Sequence, residues 1–279
     1  MNIGIVGLGL IGGSLGLDLR SRGYQVLGVS RQEHTCQRAI ARGAVDDASV
    51  NLTLLAAADV VFICTPLSAI ESTVIQLIPH LAATTILTDV GSVKTSVVDS
   101  ITPLWPNFIG GHPMAGTAEN GIEAAQANLF AGKPYVLTPT ATTPPGCIET
   151  VESLVRSLDA YLYHCRPEDH DRAVAWISHL PVMVSSSLIA ACLSETDPTT
   201  LELAQALASS GFKDTSRVGG GNPELGLMMA RYNRSALLRS LSAYRNQLDQ
   251  IIANIEQENW EGVADQLQQT QQARSHFVK

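Results

Sequence analysis

The first two dozen residues constrain the fold most. Residues 2–6 (NIGIV) form a short β-type apolar run that leads directly into Gly7-Leu8-Gly9-Leu10-Ile11-Gly12, a GxGxxG. A helical pattern follows to about Arg22, and Gly23 stops it. Between a strand and a helix each glycine has a physical task. The first permits a tight turn, the second lets a pyrophosphate approach the backbone, and the third lets helix and strand pack closely. Free N–H groups at the helix start then face the anion. The pattern reads as a dinucleotide-binding turn, with Gly7, Gly9, Leu10, Ile11 and Gly12 against the cofactor.

The following residues repeat the alternation. YQVLGVS (24–30), ADVVFICTP (58–66) and TTILTDVG (84–91) read as strands, and 68–81 as a helix. Strand and helix alternate every 20 to 30 residues, which implies a mostly parallel sheet with crossover helices. FIGGHPMAG (108–116) and KPYVLTP (133–139) read as strand plus loop, TPTATTPPG (138–146) as a surface turn cluster, VESLVRSLDA (151–160) as a helix and YLYHC (161–165) as a last short strand. After Pro167 the pattern is helical. Leu237, Leu241, Tyr244, Leu248, Ile251 and Ile255 recur every three or four residues, the apolar face of one long helix. The expected architecture is an α/β Rossmann-type domain over 1–165 and an all-α domain over 166–279, with the Gln-rich stretch 266–272 as a solvated helix face. Residues 173–194 carry no formal charge but contain His179, Pro181 and three consecutive serines, and read as a buried helix rather than a bilayer span.

Composition narrows the function classes. With 45% apolar residues in 279 the chain can bury a sizeable core, and a net charge of −8 argues against a general nucleic-acid binder. Five scattered cysteines without a CxxC pair fit reduced thiols in the cytoplasm. The first 17 residues are uncharged, but a signal peptide needs a basic start. Seven histidines show no HExxH and no Cys/His cluster at ligand spacing, so no metal is expected; His164, Cys165, Asp169 and His170 straddle a turn.

The cofactor's identity is read at the end of the second strand, Val29-Ser30-Arg31, 23 residues past Gly7. An NAD enzyme usually places a carboxylate there to accept from the ribose 2′-OH. This chain offers the Ser30 hydroxyl and the Arg31 guanidinium, with Thr35 a turn later, a set suited to a 2′-phosphate. The expectation is NADP. In the alternative, Arg31 is a solvated surface residue and Glu33 reaches the ribose. Cys64, Thr65, Pro66 and Gly91 follow the next strands and complete the expected cofactor contacts.

Several stretches resemble the prephenate/arogenate dehydrogenases of tyrosine biosynthesis: VGLGLIGGSLGL (6–17), TDVGSVK (88–94), GGHPMAGT (110–117), NLFAGKPYVLTP (128–139), DHDRAVAWISHLP (169–181) and GFKDTSR (211–217). The resemblance implies an oxidative decarboxylation in which a cyclohexadienol gives hydride from C4 to a nicotinamide, loses CO2 and aromatises. It assigns His112 as the catalytic base and Ser92 as the group that orients the substrate hydroxyl or the histidine, with a helix N-cap as the plainer role for Ser92. Lys94 reads as a surface residue. His179 is expected to contact substrate from the helical domain, aimed by a kink at Pro181; a buried core histidine is the alternative. Arg217 is expected to hold a substrate carboxylate or, alternatively, an interdomain salt bridge, with Asp214 as its partner or as an orienting group for Arg217 or His179. Gly116 and Thr117 complete the substrate set. Some relatives carry an acid directly after the HPxAGT run; here that place is Ala118, and Glu119 lies one further on.

Arogenate is favoured over prephenate as substrate by the resemblance. Its ammonium would need an acidic or carbonyl partner, for which Asp214 and Glu119 are candidates. Family members pair through the helical domain, and the C-terminal helices carry more apolar residues than such a domain buries alone, so a homodimer is expected. Two other readings stand beside this one. A β-hydroxyacid-type dehydrogenase relies on a lysine of the helical domain, and none lies between Lys133 and Lys213. A non-catalytic NADP-binding sensor has no need of His112, Ser92, His179 and Arg217 together.

Overall fold

In the computed structural model, which describes residues 1–117 and 119–278, eight strands share one sheet. They are β1 (Asn2–Val6), β2 (Gln25–Val29), β3 (Asp47–Ser49), β4 (Val60–Ile63), β5 (Ile86–Asp89), β6 (Phe108–Pro113), β7 (Pro134–Thr138) and β8 (Tyr161–His164). The order is β3-β2-β1-β4-β5-β6-β7-β8, and every pairing is parallel except β6–β7. The strand order reverses beside β1, which pairs with both β2 and β4. Open α/β sheets bind ligands at such a switch point, outside the carboxyl ends of the strands.

Helices α1 (Leu10–Ser21), α2 (Glu33–Ala41), α3 (Ile70–Leu77), α4 (Thr95–Ile101) and α5 (Pro145–Ser157) connect the strands. The buried strands read as continuous apolar runs because both faces are covered. Ile3, Ile5, Val60 and Phe62 face one core with Leu15, Leu19, Val151 and Leu154; Val61, Ile63 and Leu87 face the other with Val74, Val98 and Ile101. The mostly parallel sheet is the one expected. Three local features differ: β3 is a strand that the apolar pattern does not reveal, α4 is a further helix, and α5 begins at Pro145, six residues ahead of the expected start at 151. Pro145 sits in the first turn, where its missing N–H costs nothing.

The helical part comprises α6 (Pro167–Val174), a wider turn over Ala175–His179, α7 (Leu180–Leu193), α8 (Pro198–Leu207), α9 (Ser210–Ser216), α10 (Pro223–Tyr232), α11 (Arg234–Glu256) and α12 (Trp260–Ala273). The chain divides into two compact units, 1–233 and 234–279. The second is a helical hairpin of α11 and α12, in which Asn259 caps α12 by accepting from Gly262 N at 3.1 Å.

The apolar run after Ala173 is helical but mostly not buried, contrary to the sequence reading. Pro167–Leu193 is long and apolar enough to cross a membrane by length and composition, and only 11% of its most apolar window is buried within the chain. A helix with apolar residues all round has no polar face to mark the solvent side, so the pattern alone could not tell a core position from a surface covered by another body.

Candidate active site

The glycine turn has the geometry its spacing requires. Gly7 lies at φ +99°, and a Cβ there would stand 2.6 Å from the Cys64 carbonyl oxygen. A Cβ on Gly12 would run into the Gly7 carbonyl oxygen. Around Gly9 nothing lies within 4 Å of where a Cβ would be, so the backbone there is open to a close approach. No side chain caps α1, and no acid stands in its first turn. This open cradle with free N–H groups and no competing carboxylate fits a dinucleotide pyrophosphate.

The other expected cofactor residues lie along the same edge. Because β1, β2, β4 and β5 are parallel, the glycine turn, Ser30, Cys64-Thr65-Pro66 and Gly91 all follow strand carboxyl ends. Ser30 is half-buried, Arg31 exposed and Thr35 half-buried, while Glu33 is exposed at the start of α2. The Thr65 hydroxyl is buried without a hydrogen-bond partner among the described residues.

His112 lies near the end of β6, beyond the last residue pair that joins β6 to β5. Its ring meets a pair that the sequence reading passed over. His112 Nδ1 lies 2.8 Å from His170 Nε2, and His170 Nδ1 lies 2.9 Å from Asp171 Oδ1. Both partners come from α6. The Asp171 carboxylate also accepts from Lys94 N at 2.7 Å and Thr95 N at 2.9 Å, so α6 caps α4. Ser92 therefore is not the cap of α4: its hydroxyl is buried without a partner among the described residues.

Lys94 is fully buried, which corrects its reading as a surface residue. Its ammonium pairs with Asp89 and donates to the Gly111 carbonyl at 2.6 Å. Asp89 also accepts from Gly91 N at 2.8 Å and Gly111 N at 3.1 Å. One ion pair thus ties the loop after β5 to the residue beside His112. Lysine is so often solvated that its sequence gives no sign of this; only the fold places an acid beneath it.

His179 is fully buried at the end of the widened turn. Pro181 does not break the helix, which runs on from the widened turn into α7. Lacking an N–H, it cannot donate to the carbonyl four residues back, and the backbone widens by one residue upstream. Asn233, at the end of α10, donates to the Asp171 carbonyl at 2.7 Å and lies 3.1 Å from His179 Nδ1. His179 Nε2 is buried without a partner among the described residues.

Charge in this cluster is shaped by burial. Burial pulls His112 well below the usual histidine value, helped by His170, Lys94 and His179. Burial pulls His179 down to about 4. For Asp171 burial acts upward, but the bonds from His170, Thr95 and Lys94 outweigh it and hold the carboxyl below its ordinary value. The site therefore presents His112 and His179 as neutral imidazoles, with His170 linking His112 to the Asp171 carboxylate, beside an open dinucleotide cradle. Such a set can accept one proton and donate hydrogen bonds.

The remaining expected residues stand elsewhere. Gly116 and Thr117 are exposed and line a cleft of about 460 Å³ with Met114, Gln126, Asn128 and Lys133. Ala118 lies outside the described residues, and Glu119 is exposed. Asp214 and Arg217 are exposed, and among the described residues no ion pair joins them. The segment after α9 packs on α7, where Gly219 N donates to Ser185 Oγ at 2.8 Å, six residues beyond His179.

Comparison with known proteins adds an independent line. A model described as prephenate dehydrogenase, nucleotide-binding domain, matches residues 15–164, and one described as prephenate dehydrogenase, dimerization domain, matches 166–269. Prephenate dehydrogenase of Bacillus subtilis is 30% identical over 93% of this chain and 71% of its own length. Cyclohexadienyl dehydrogenase of Zymomonas mobilis is 29% identical over 98% and 94%. The crystal structure of Synechocystis arogenate dehydrogenase shares 55% identity with full coverage of both chains and a TM-score of 0.90. That of Aquifex aeolicus prephenate dehydrogenase with hydroxyphenyl propionate and NAD+ shares 26% identity over 99% and 98%, with a TM-score of 0.93. With matched models running through both halves, and with relatives similar along nearly the whole of this chain, the chain belongs to the prephenate/arogenate dehydrogenase family.

Proposed function

We propose that the chain is a cytoplasmic, NADP-dependent arogenate dehydrogenase that forms tyrosine by oxidative decarboxylation and works as a homodimer. The observation that carries the substrate assignment is the 55% identity, over the full length of both chains, to an arogenate dehydrogenase. The dimerization-domain model over 166–269 and the uncovered apolar helix support pairing, with 1–165 and 166–279 as the functional halves.

The cofactor, when bound, supplies the acceptor for the hydride that leaves C4. His112 takes the hydroxyl proton on its free ring nitrogen as the C4 carbonyl forms, a task for a neutral imidazole. Ser92, whose hydroxyl has no partner in the fold, is free to bond the substrate hydroxyl and orient it. His179 turns an unpartnered Nε2 to the substrate, and Arg217 meets a substrate carboxylate with a planar fork of donors. Loss of CO2 then needs no further group, because aromatisation drives it. The absence of a carboxylate at Ser30, with Arg31 beside it, supports NADP over NAD. Purified protein assayed with arogenate and with prephenate, each with NADP and NAD, tests the reading. Turnover is expected to be highest for arogenate with NADP; preference for prephenate or for NAD overturns the corresponding part.

A further inference from the structure

The chain His112–His170–Asp171 is linked ring to ring to carboxylate. Asp171 holds an ionised carboxylate, fixed by Lys94 N and Thr95 N, so toward His170 it can only accept. His170 therefore donates from Nδ1. With its single ring proton on Nδ1, His170 has a bare Nε2 that can accept from His112 Nδ1, 2.8 Å away. His112 is left with its proton on Nδ1 and a bare Nε2, the opposite of the tautomer that free imidazole side chains favour in water.

We propose that Asp171 and His170 are positioning residues that hold His112 in the Nδ1–H tautomer, so that its Nε2 is a ready proton acceptor. The proposal rests on the reading of His112 as the base. When Nε2 takes the substrate proton, the imidazolium's Nδ1–H points along the chain toward the Asp171 carboxylate, which stabilises the charge. His170 and Asp171 come from α6, and Lys94 and Thr95 from the loop and helix after β5, so the tautomer is set only when these elements are packed together. Charged and titratable groups facing His112 are His170, Lys94 and His179, with Asp89 and Asp171 one bond further away. Of these, only His170 is within hydrogen-bonding distance of the His112 ring.

The test compares two variants of similar bulk at one position. In His170→Gln the side-chain oxygen can still accept from His112 Nδ1 and the amide can still donate to Asp171; in His170→Leu neither is possible. The full-length protein, labelled with nitrogen-15 in histidine and free of substrate, is read by long-range proton–nitrogen correlation NMR alongside steady-state kinetics. His112 is expected as the Nδ1–H tautomer in the wild type and His170→Gln, and as the Nε2–H tautomer in His170→Leu. Turnover of His170→Leu is expected to fall by about 10²-fold or more, within the span for misplacing a general base, with KM little changed and His170→Gln well above it. Nε2 protonated in the wild type, or equal turnover of the two variants, overturns the proposal. The tautomer is read without substrate, so this can fail while His112 remains the base, and the base assignment can fail while the tautomer stands.

Discussion

Lys94 is the residue whose environment departs furthest from the one its type suggests. Burial pulls its ammonium below the usual value, and Asp89 opposes this. Removing one member of a buried pair leaves the other uncompensated, at a cost of about 3–5 kcal/mol. Lys94→Met is therefore expected to lower the urea midpoint severely; an unfolding free energy within about 0.5 kcal/mol of wild type contradicts the pair's role. The buried histidines set a pH dependence of a different kind. In the unfolded chain His179 titrates near 6.5, and in the fold near about 4. Between those values the unfolded chain binds more protons, so stability is fully present above 6.5 and is lost progressively as the pH falls toward 4. His112 is lowered in the same direction and adds to the loss. Denaturation in urea at about pH 7 and about pH 5 checks this, and a level midpoint would contradict it.

Elements whose reasons are local could be read from the chain. The glycine turn, β1 and α1 follow from strand, turn and helix signals within two dozen residues, and α11 from its apolar period. The His170–Asp171 pair could not, because an acid near a helix start looks like an ordinary helix N-terminus and its targets lie on β6 and α4, 58 and 76 residues away in sequence. Asn233 was missed for the same reason: its bonds to Asp171 and His179 span 62 and 54 residues. The widened turn before His179 was half legible. Pro181 announces a disturbance, but whether the helix bends or widens depends on packing. Pro181→Ala restores a donor and lets the turn close into regular helix, rotating His179 by up to about 100°. Its kcat/KM is expected to fall at least about tenfold while its Tm does not fall, checked by kinetics and a thermal melt; unchanged kinetics would show that the widened turn does not aim His179.

For the molecule as a whole, the uncovered apolar surface is the feature a single chain leaves unexplained. Ile177 is 56% exposed, Leu193 63% and Leu207 71%. Large apolar side chains left exposed in this number fit a covered surface, and the dimerization-domain model spans these residues. Sedimentation at micromolar concentration is expected to show a homodimer; a monomer would contradict it. The proposed reaction divides between two tasks: the glycine turn would hold the dinucleotide, and an imidazole held from α6 would take the proton. Measuring arogenate turnover and NADP affinity together in His112→Ala separates these tasks. Turnover is expected to fall by about 10²- to 10⁴-fold with the NADP Kd within about twofold of wild type. Turnover close to that of the wild type would contradict the account.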